Sequence, residues 1–204
     1  MEREDWNRRH AERGLVHGGE PDPTVTAVAG SLTPGRALEL GCGQGRNAIW
    51  LAEQGWRVAG VDFSDVALAT ARELAGDLAV EWVEADLREY EPDARAYDLV
   101  LYPFVQLPAA ERQEVLRRAA AAVAPGGTFL AVVHDSANLT EGWGGPSNPA
   151  VLATPDELVR DLPGLEVVRA ERFYRPVTTE AGEEAQQVDA VVRAVGIATS
   201  ARLD

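Results

Sequence analysis

The sequence predicts a single α/β domain built on one doubly wound sheet. Short apolar runs alternate with amphipathic helical patterns along most of the chain, which is typical of βαβ units around a parallel sheet. A glycine-rich turn follows the first of these runs. No repeat, low-complexity tract or clear linker divides the 204 residues, and a chain of this length can bury a core without disulfides. We therefore expect residues 1–204 to form one domain.

The predicted strands are short apolar runs bounded by turn residues. In chain order they are residues 36–40, 56–61, 80–84, 97–102, 128–134, 165–174 and 188–195. The first five are separated by turns and helical patterns, as βαβ units require. The polar stretch 178–187 joins the last two predicted strands, so we expect these strands to form a terminal pair.

Four predicted helices carry boundary signals in the sequence. Gly55 follows the first helix, and Ser64 and Gly76 flank the second. Pro108 precedes the third helix, and Pro125–Gly127 follows it. The capping box Thr154–Glu157 precedes the fourth helix, which ends by Gly164. Serine and threonine side chains satisfy free backbone N–H groups at helix starts, and glycine suits the position just past a helix end.

Two segments outside this pattern are candidates to cover a substrate site. Residues 1–30 are polar and hold His10 and His17. Trp6, Arg9 and His10 could contribute to such a cover; an ordinary solvated helix is the alternative. Loop 136–153 is long for a compact domain, and loops of that length are usually functional or disordered.

The charge and the basic residues exclude several classes of function. The net charge is −14 and the sequence pI is about 4.6, which disfavours nucleic-acid substrates because their binding depends on neutralising phosphates. The chain contains no lysine. A P-loop lysine, a pyridoxal Schiff base and the Tyr/Lys pair of short-chain dehydrogenases are therefore excluded, since each needs an amine.

Cysteine usage and hydropathy predict a cytoplasmic protein with no membrane partner. Cys42 is the only cysteine, so no internal disulfide can form. The charged N-terminus lacks the apolar region of a secretory signal, and no run approaches the ~18 apolar residues of a membrane span. No cluster of His, Cys and Asp has metal-ligand spacing, so we expect no structural metal.

The strongest functional signal is the segment Glu39–Gly45, which follows the first predicted strand. Its glycines allow a sharp turn and a close approach by a ligand. Asp62 ends the next strand, where a carboxylate can accept hydrogen bonds from both ribose hydroxyls. The glycine spacing is G-x-G-x-G, whereas a dinucleotide fingerprint is G-x-G-x-x-G. Because Glu39 would repel a pyrophosphate but suits an ammonium, the pattern favours S-adenosylmethionine over NAD and disfavours an NAD-dependent oxidoreductase.

Together these motifs resemble the class I S-adenosylmethionine-dependent methyltransferases over about residues 30 to 135. Residues 39–45 resemble motif I, Val61–Asp62 the ribose-binding position, Ala85–Leu87 the motif that meets the adenine amino group, and Ala124–Gly127 the family's turn before the fifth strand. The string Gly41–Asn47 is most similar to the tellurite-resistance and thiopurine methyltransferase branch.

The resemblance implies a Rossmann-like seven-stranded sheet, mostly parallel with an antiparallel last strand. It also implies S-adenosyl-L-methionine as cofactor, S-adenosyl-L-homocysteine as product and a small-molecule methyl acceptor. The residues expected to bind the cofactor are Glu39, Gly41, Gly43, Gly45, Arg46, Asp62, Phe63, Asp86 and Leu87.

Methyl transfer needs alignment more than acid–base chemistry, because the cofactor already carries an activated methyl group. A general base is needed only if the acceptor arrives protonated. His134, after the fifth strand, is the candidate base, and a purely structural histidine is the alternative. Tyr102 is a candidate to donate a hydrogen bond or to form a wall of the acceptor pocket. A module that binds the cofactor without catalysis is a further alternative, and the sequence leaves the acceptor and the oligomeric state open.

Overall fold

The computed structural model describes residues 2–16, 18–179 and 181–197. Within these residues the strands are β1 (Arg36–Leu40), β2 (Arg57–Asp62), β3 (Val80–Glu84), β4 (Tyr97–Pro103), β5 (Val123–His134), β6 (Leu165–Thr178) and β7 (Glu184–Gly196). The α-helices are α1 (Arg3–Arg13), α2 (Pro23–Ala29), α3 (Arg46–Glu53), α4 (Asp65–Ala75), α5 (Ala109–Ala122), α6 (Asn138–Glu141) and α7 (Pro155–Arg160).

The strands form one seven-stranded sheet in the order β3-β2-β1-β4-β5-β7-β6. Strands β1 to β5 pair in parallel, whereas β7 is antiparallel to both β5 and β6. The predicted fold class is confirmed. The strand order reverses between β1 and β4, and in such sheets ligands bind outside the carboxyl ends of the strands at this point.

Apolar side chains cover both faces of the sheet and form two clusters. One cluster joins Val115 and Leu116 of α5 to strand residues such as Phe129. The other joins Leu51 of α3 and helix α2 to the opposite face of the same strands, represented by Leu101. Successive side chains of a strand point to opposite faces, so the central strands are buried on both sides.

The predicted helix starts at Ser64 and Thr154 are confirmed. The Ser64 hydroxyl accepts a hydrogen bond from the backbone N–H of Ala67 at 3.1 Å. Thr154 and Glu157 form the reciprocal capping box, with proline at the first helical position.

Two strand boundaries differ from the prediction. Strand β2 is shifted by one residue, so Asp62 belongs to it and Trp56 does not. Strand β5 begins at Val123, which pairs with Tyr97 before the register shifts and Thr128 pairs with Leu99. The turn signal 125–127 therefore interrupts the register of a strand and does not separate helix from strand.

The terminal strands are longer than predicted, and they include Thr178 and residues 184–187 of the stretch that was expected to join them. Pairing continues from Leu165 opposite Gly196 to Thr178 opposite Glu184. Almost all of β6 is partly or fully exposed, because it is the edge strand. An edge strand that is exposed to solvent on both faces has no alternation of apolar and polar residues. The polar end of β6 therefore did not indicate a strand in the sequence.

Among the described residues, no helix combines the length and apolar character needed to cross a membrane. The same residues contain no group of three or more His, Cys, Asp or Glu side chains placed to hold a metal ion.

Candidate cofactor-binding site

A cavity of about 250 Å³ lies at the carboxyl ends of β1, β2 and β4. Its walls come from the glycine loop, the turns that follow β2 to β4, the N-terminal segment and the loop before α7. The lining includes Glu2, Trp6, His10, Glu39, Gly41, Gly43, Arg46, Asp62, Phe63, Asp86, Leu87, Arg88, Phe104, Val105, Asn148 and Val151. All cofactor residues predicted from the sequence line this cavity except Gly45, which lies beneath it.

The three glycines of the loop serve two different purposes. A Cβ on Gly41 would lie 2.6 Å from Val105 Cγ2, and one on Gly45 would lie 2.5 Å from the Trp82 ring. These two positions are therefore closed by packing. A Cβ on Gly43 would meet no atom within 4 Å, although Gly43 lines the cavity. Gly43 is thus the position where the backbone is left open to a ligand.

Trp82 of β3 is a site residue that the sequence analysis missed. Its ring packs beneath the glycine loop at Gly45, and a Cβ on Gly60 of β2 would lie 2.9 Å from the same ring. The indole therefore supports the loop from below. An aromatic residue in a strand carries no sequence signal of this role.

Asp62 joins the end of β2 to the glycine loop. Its Oδ2 accepts a hydrogen bond from the Gly43 N–H at 2.8 Å, and its Oδ1 accepts one from the Ser64 N–H at 2.9 Å. Burial raises the pKa of this carboxyl, and the backbone hydrogen bonds partly oppose the shift. Each oxygen keeps a lone pair, so the carboxylate can still accept from the two hydroxyls of a ribose.

Glu39 presents a buried acceptor that has no partner. Its Oε1 accepts from the Asn47 side-chain amide at 2.7 Å, whereas Oε2 has no hydrogen-bond partner among the described residues. Burial raises the pKa of this carboxyl to about 7. An unpaired buried polar atom is costly, so Oε2 is suited to a donor that arrives with a ligand, such as an ammonium group.

The opposite end of the cavity is formed by the turn after β3. Asp86 and Leu87 line it, and Arg88 turns back so that its Nη2 lies 2.6 Å from Asp86 Oδ2. The Arg88 hydrogen bonds lower the pKa of Asp86, which therefore remains an ionised acceptor. Phe63 adds an aromatic ring to the wall directly after Asp62. A purine with a donor on its edge fits these groups.

The N-terminal segment forms part of the cavity wall through Glu2, Trp6 and His10. Helix α1 is held against α4 because Asn7 donates to Asp65 Oδ1 at 2.7 Å and accepts from the Ser64 hydroxyl at 2.6 Å. The ring of His10 stacks on Trp6 with centroids 5.6 Å apart. Burial lowers the pKa of His10, and the Asp62 carboxylate partly offsets the shift.

His17, the other histidine of this segment, lies outside the described residues.

The sequence profile of the family described as "Methyltransferase domain" matches residues 37–127. This range holds the glycine loop, Asp62 and the turn at Asp86. Over these residues the chain is similar to methyltransferase domains.

Two curated relatives share part of this domain. The demethylmenaquinone methyltransferase of Clavibacter sepedonicus is 35% identical over 107 residues, which cover 52% of this chain and 42% of that protein. Hemagglutinin 1 of Eikenella corrodens is 33% identical over 108 residues, which cover 50% of this chain and 35% of that protein. The chain thus spans less than half the length of either relative.

Solved structures share the fold over nearly the whole chain. A structure reported for the conversion of a disulfide bond into a thioacetal group during echinomycin biosynthesis superposes with a TM-score of 0.78 at 17% identity, covering 99% of this chain and 94% of that one. TehB from Haemophilus influenzae superposes with a TM-score of 0.73 at 19% identity, covering 93% of this chain and 66% of that one.

Tyr102 lies in the core and does not line the cavity. The residue is fully buried in the cluster under α5, and its hydroxyl has no hydrogen-bond partner among the described residues. Burial raises the pKa of this phenol. Side chains alternate along β4, so Tyr102 shares the α5 face of the sheet with Val100. The expected role in the acceptor pocket does not fit this position.

His134 lies one layer behind the cavity wall. Its ring centroid is 5.2 Å from that of Phe104, which does line the cavity. His134 Nδ1 lies 3.1 Å from Oδ1 of the buried Asp189, whose Oδ2 accepts from Arg175 Nε at 3.0 Å. Asp189 and Arg175 were not predicted as site residues, because the partner strand of β5 was known only approximately from the sequence.

Proposed function

We propose that this domain transfers the methyl group of S-adenosylmethionine to a small-molecule acceptor by in-line displacement. The supporting observation is the combination found in one cavity: an open Gly43, an ionisable Asp62 at its rim and the unpaired Oε2 of Glu39. These groups complement the uncharged ribose and the ammonium of the cofactor. A pyrophosphate bound in this cavity would be repelled by the carboxylates of Glu39 and Asp62.

The cofactor residues divide by the part of the ligand that each would hold. When bound, the cofactor supplies an activated methyl group on its sulfonium. Glu39 accepts from the ammonium, and Arg46, at the first turn of α3, is suited to the carboxylate of the methionine moiety. Asp62 accepts from the ribose hydroxyls. Asp86 accepts from the adenine amino group, with Leu87 against the ring.

Gly41 and Gly45 act by allowing the loop to pack as it does, since Val105 and Trp82 occupy the space that side chains would need. Phe63 would stack or pack at the adenine end. The chain therefore supplies binding, orientation and exclusion of water, which are the contributions that cofactor chemistry requires of a protein.

The acceptor would enter on the side where residues 103–108 face Asn148 and Val151. This wall is mainly apolar at Phe104, Val105 and Val151, which suits an organic acceptor better than a small inorganic oxyanion. The demethylmenaquinone methyltransferase is named for an organic acceptor, in agreement with this proposal. Membership in the tellurite-resistance and thiopurine branch remains a proposal as well, because the likeness to TehB concerns the fold.

His134 remains our candidate base for an acceptor that arrives protonated. The Asp189 carboxylate beside Nδ1 favours a proton there, which leaves Nε2 to accept one. Because Phe104 lies between the imidazole and the cavity, this role requires the Phe104 ring to move. We propose no acceptor role for Tyr102.

The test is calorimetric titration of the protein with S-adenosylmethionine, S-adenosylhomocysteine and NAD, followed by turnover assays with thiols, phenols, amines and tellurite. We expect micromolar binding of both sulfur ligands, no binding of NAD and methylation of an organic acceptor. No binding of either sulfur ligand would contradict the proposal. Tight binding with no turnover of any acceptor would favour the alternative of a catalytically silent binding module.

A further inference from the structure

Arg118 of α5 is a buried arginine whose guanidinium contacts a single turn of the chain. Its Nη2 donates to the carbonyl of Arg88 at 2.8 Å and to that of Leu87 at 3.2 Å. Its Nη1 donates to the carbonyl of Tyr90 at 3.0 Å and to the Glu91 carboxylate at 3.3 Å. Only 7% of the Arg118 side chain is exposed, whereas the Glu91 side chain is 74% exposed, so the hydrogen bonds to the three carbonyls are the shielded ones.

The turn that Arg118 contacts is closed within the backbone by two hydrogen bonds. The backbone N–H groups of Glu89 and Tyr90 donate to the Asp86 carbonyl at 3.0 and 2.9 Å, which makes one isolated helical turn. An isolated turn is unstable in water, and its last carbonyls need partners. Arg118 supplies those partners from a different element.

The same turn presents three consecutive residues to the cavity, namely Asp86, Leu87 and Arg88. Arg118 itself does not line the cavity. Its five N–H donors lie in a rigid plane, so they fix several carbonyls relative to one another. Arg88 holds the Asp86 carboxylate directly, and Arg118 fixes the backbone carbonyls of Leu87 and Arg88 that follow Asp86 in the turn.

We propose that Arg118 is a positioning residue for recognition of the purine base: by fixing the turn 86–90, it sets the selectivity of the site for adenine over hypoxanthine. This inference rests on the proposed placement of the adenine of S-adenosylhomocysteine at Asp86. Adenine carries an amino donor where hypoxanthine carries an oxygen, so a correctly placed carboxylate accepts from the first and repels the second.

The neighbouring arginine provides a matched control. Arg117 is also on α5, but its side chain is about half exposed and its Nη2 lies 2.6 Å from Glu114 Oε1 on the same helix. Among the described residues its hydrogen bonds go to Glu114 and not to the turn 86–90. The same change, arginine to lysine, keeps the charge at both positions while removing the planar fork.

The experiment measures the dissociation constants of S-adenosylhomocysteine and S-inosylhomocysteine for the wild type, Arg118→Lys and Arg117→Lys. We expect the wild type to prefer the adenine ligand by about tenfold or more, the scale of one hydrogen bond to a charged group. Arg118→Lys should bring the ratio of the two dissociation constants close to one, chiefly by weakening the binding of S-adenosylhomocysteine. Arg117→Lys should keep the wild-type ratio.

A double-mutant cycle with Asp86→Asn separates positioning from general destabilisation. If Arg118 acts through Asp86, Arg118→Lys should change the ratio in the wild-type background and leave it unchanged in the Asp86→Asn background. Lysine keeps the charge and most of the apolar stem, and circular dichroism verifies the fold of each variant. Should Arg118→Lys not fold, Glu91→Gln, which removes the charge that meets Nη1, is expected to lower the ratio in part.

Three results would overturn the inference: a wild-type ratio near one, a ratio unchanged in folded Arg118→Lys, or an equal loss in Arg117→Lys. Failure of the proposed function looks different, because the wild type would then bind neither ligand.

Discussion

Gly43 is the glycine of the cofactor loop whose side-chain position opens into the cavity. We expect Gly43→Ala to weaken binding of S-adenosylhomocysteine by at least about tenfold, because the new methyl group would occupy space that the ligand needs. Its φ of 54° is also left-handed, so the variant should lose about 1–2 kcal/mol of stability. Calorimetry and urea unfolding measure the two effects.

Gly76→Ala is the matched control for this change. Gly76 has a φ of 53° and equally open space around its Cβ, but it follows α4 and does not line the cavity. The control should lose similar stability and keep its affinity. Equal affinities of the two variants would show that Gly43 does not face the ligand.

Glu39 should give the protein a distinctive pH dependence of stability. Its pKa is raised from 4.5 to about 7 by burial, so the folded protein holds a proton that the unfolded chain releases. The resulting contribution to the free energy of unfolding is complete below about pH 4.5 and is lost as the pH rises to about 7. The loss is at most roughly 3 kcal/mol.

Urea unfolding of the wild type and Glu39→Gln between pH 4 and 8 measures this contribution. Glutamine keeps the shape and cannot ionise, so its stability relative to the wild type should rise across that interval. All other titrating groups are common to both proteins and cancel in the difference. A difference that does not change with pH would contradict the assignment.

The sequence predicted the residues of the glycine loop better than those of the acceptor side. Glu39, Gly43 and Asp62 are held by backbone geometry that follows directly from a strand, a turn and a second parallel strand. Tyr102 lies on a strand that is buried on both faces, and such a strand has no apolar–polar alternation to show which face a residue occupies. The position of Tyr102 near the end of a strand was therefore not enough to predict which face of the sheet its side chain occupies.

At the scale of elements, Asn7 makes two hydrogen bonds that attach α1 to the start of α4. Because Trp6 and His10 of this helix line the cavity, Asn7→Ala should raise the dissociation rate of S-adenosylhomocysteine severalfold. Stopped-flow displacement measures the rate.

Arg8→Ala is the control for the same helix, since Arg8 is exposed and pairs only locally with Asp5. Its dissociation rate should equal that of the wild type. If both variants behave as the wild type does, then α1 does not retain the ligand.

The β6–β7 hairpin shows what the sequence could not predict at this scale. Val188 and Val192 of β7 are buried, and their apolar run predicted that strand. The ends of both strands extend beyond the core, where backbone pairing continues without burial of side chains. The turn is closed by hydrogen bonds from Gly182 to Thr179 and from Thr179 to Glu183, which a polar sequence does not specify uniquely.

At the scale of the whole molecule, the charge of −14 predicts that nucleic acids do not bind. Association with a phosphate backbone depends on release of counterions by clustered cations, and an acidic surface repels the backbone within a Debye length of ~10 Å at 0.1 M salt. We expect no change in the fluorescence anisotropy of labelled RNA or duplex DNA when protein is added to about 10 µM at about 50 mM salt. Nucleic-acid binding is strongest at such low salt concentrations. Saturable binding at that salt concentration would contradict the expectation of a small-molecule acceptor.

The packing of Trp82 constrains how this sequence can change over time. The ring contacts both Gly45 and Gly60, on two different elements, so neither glycine can gain a methyl group while the indole stays in place. A smaller residue at position 82 would remove that restriction on Gly60 and at the same time deprive the loop of its support. Changes at these three positions are therefore tolerated in combination, and we expect related sequences to vary them together.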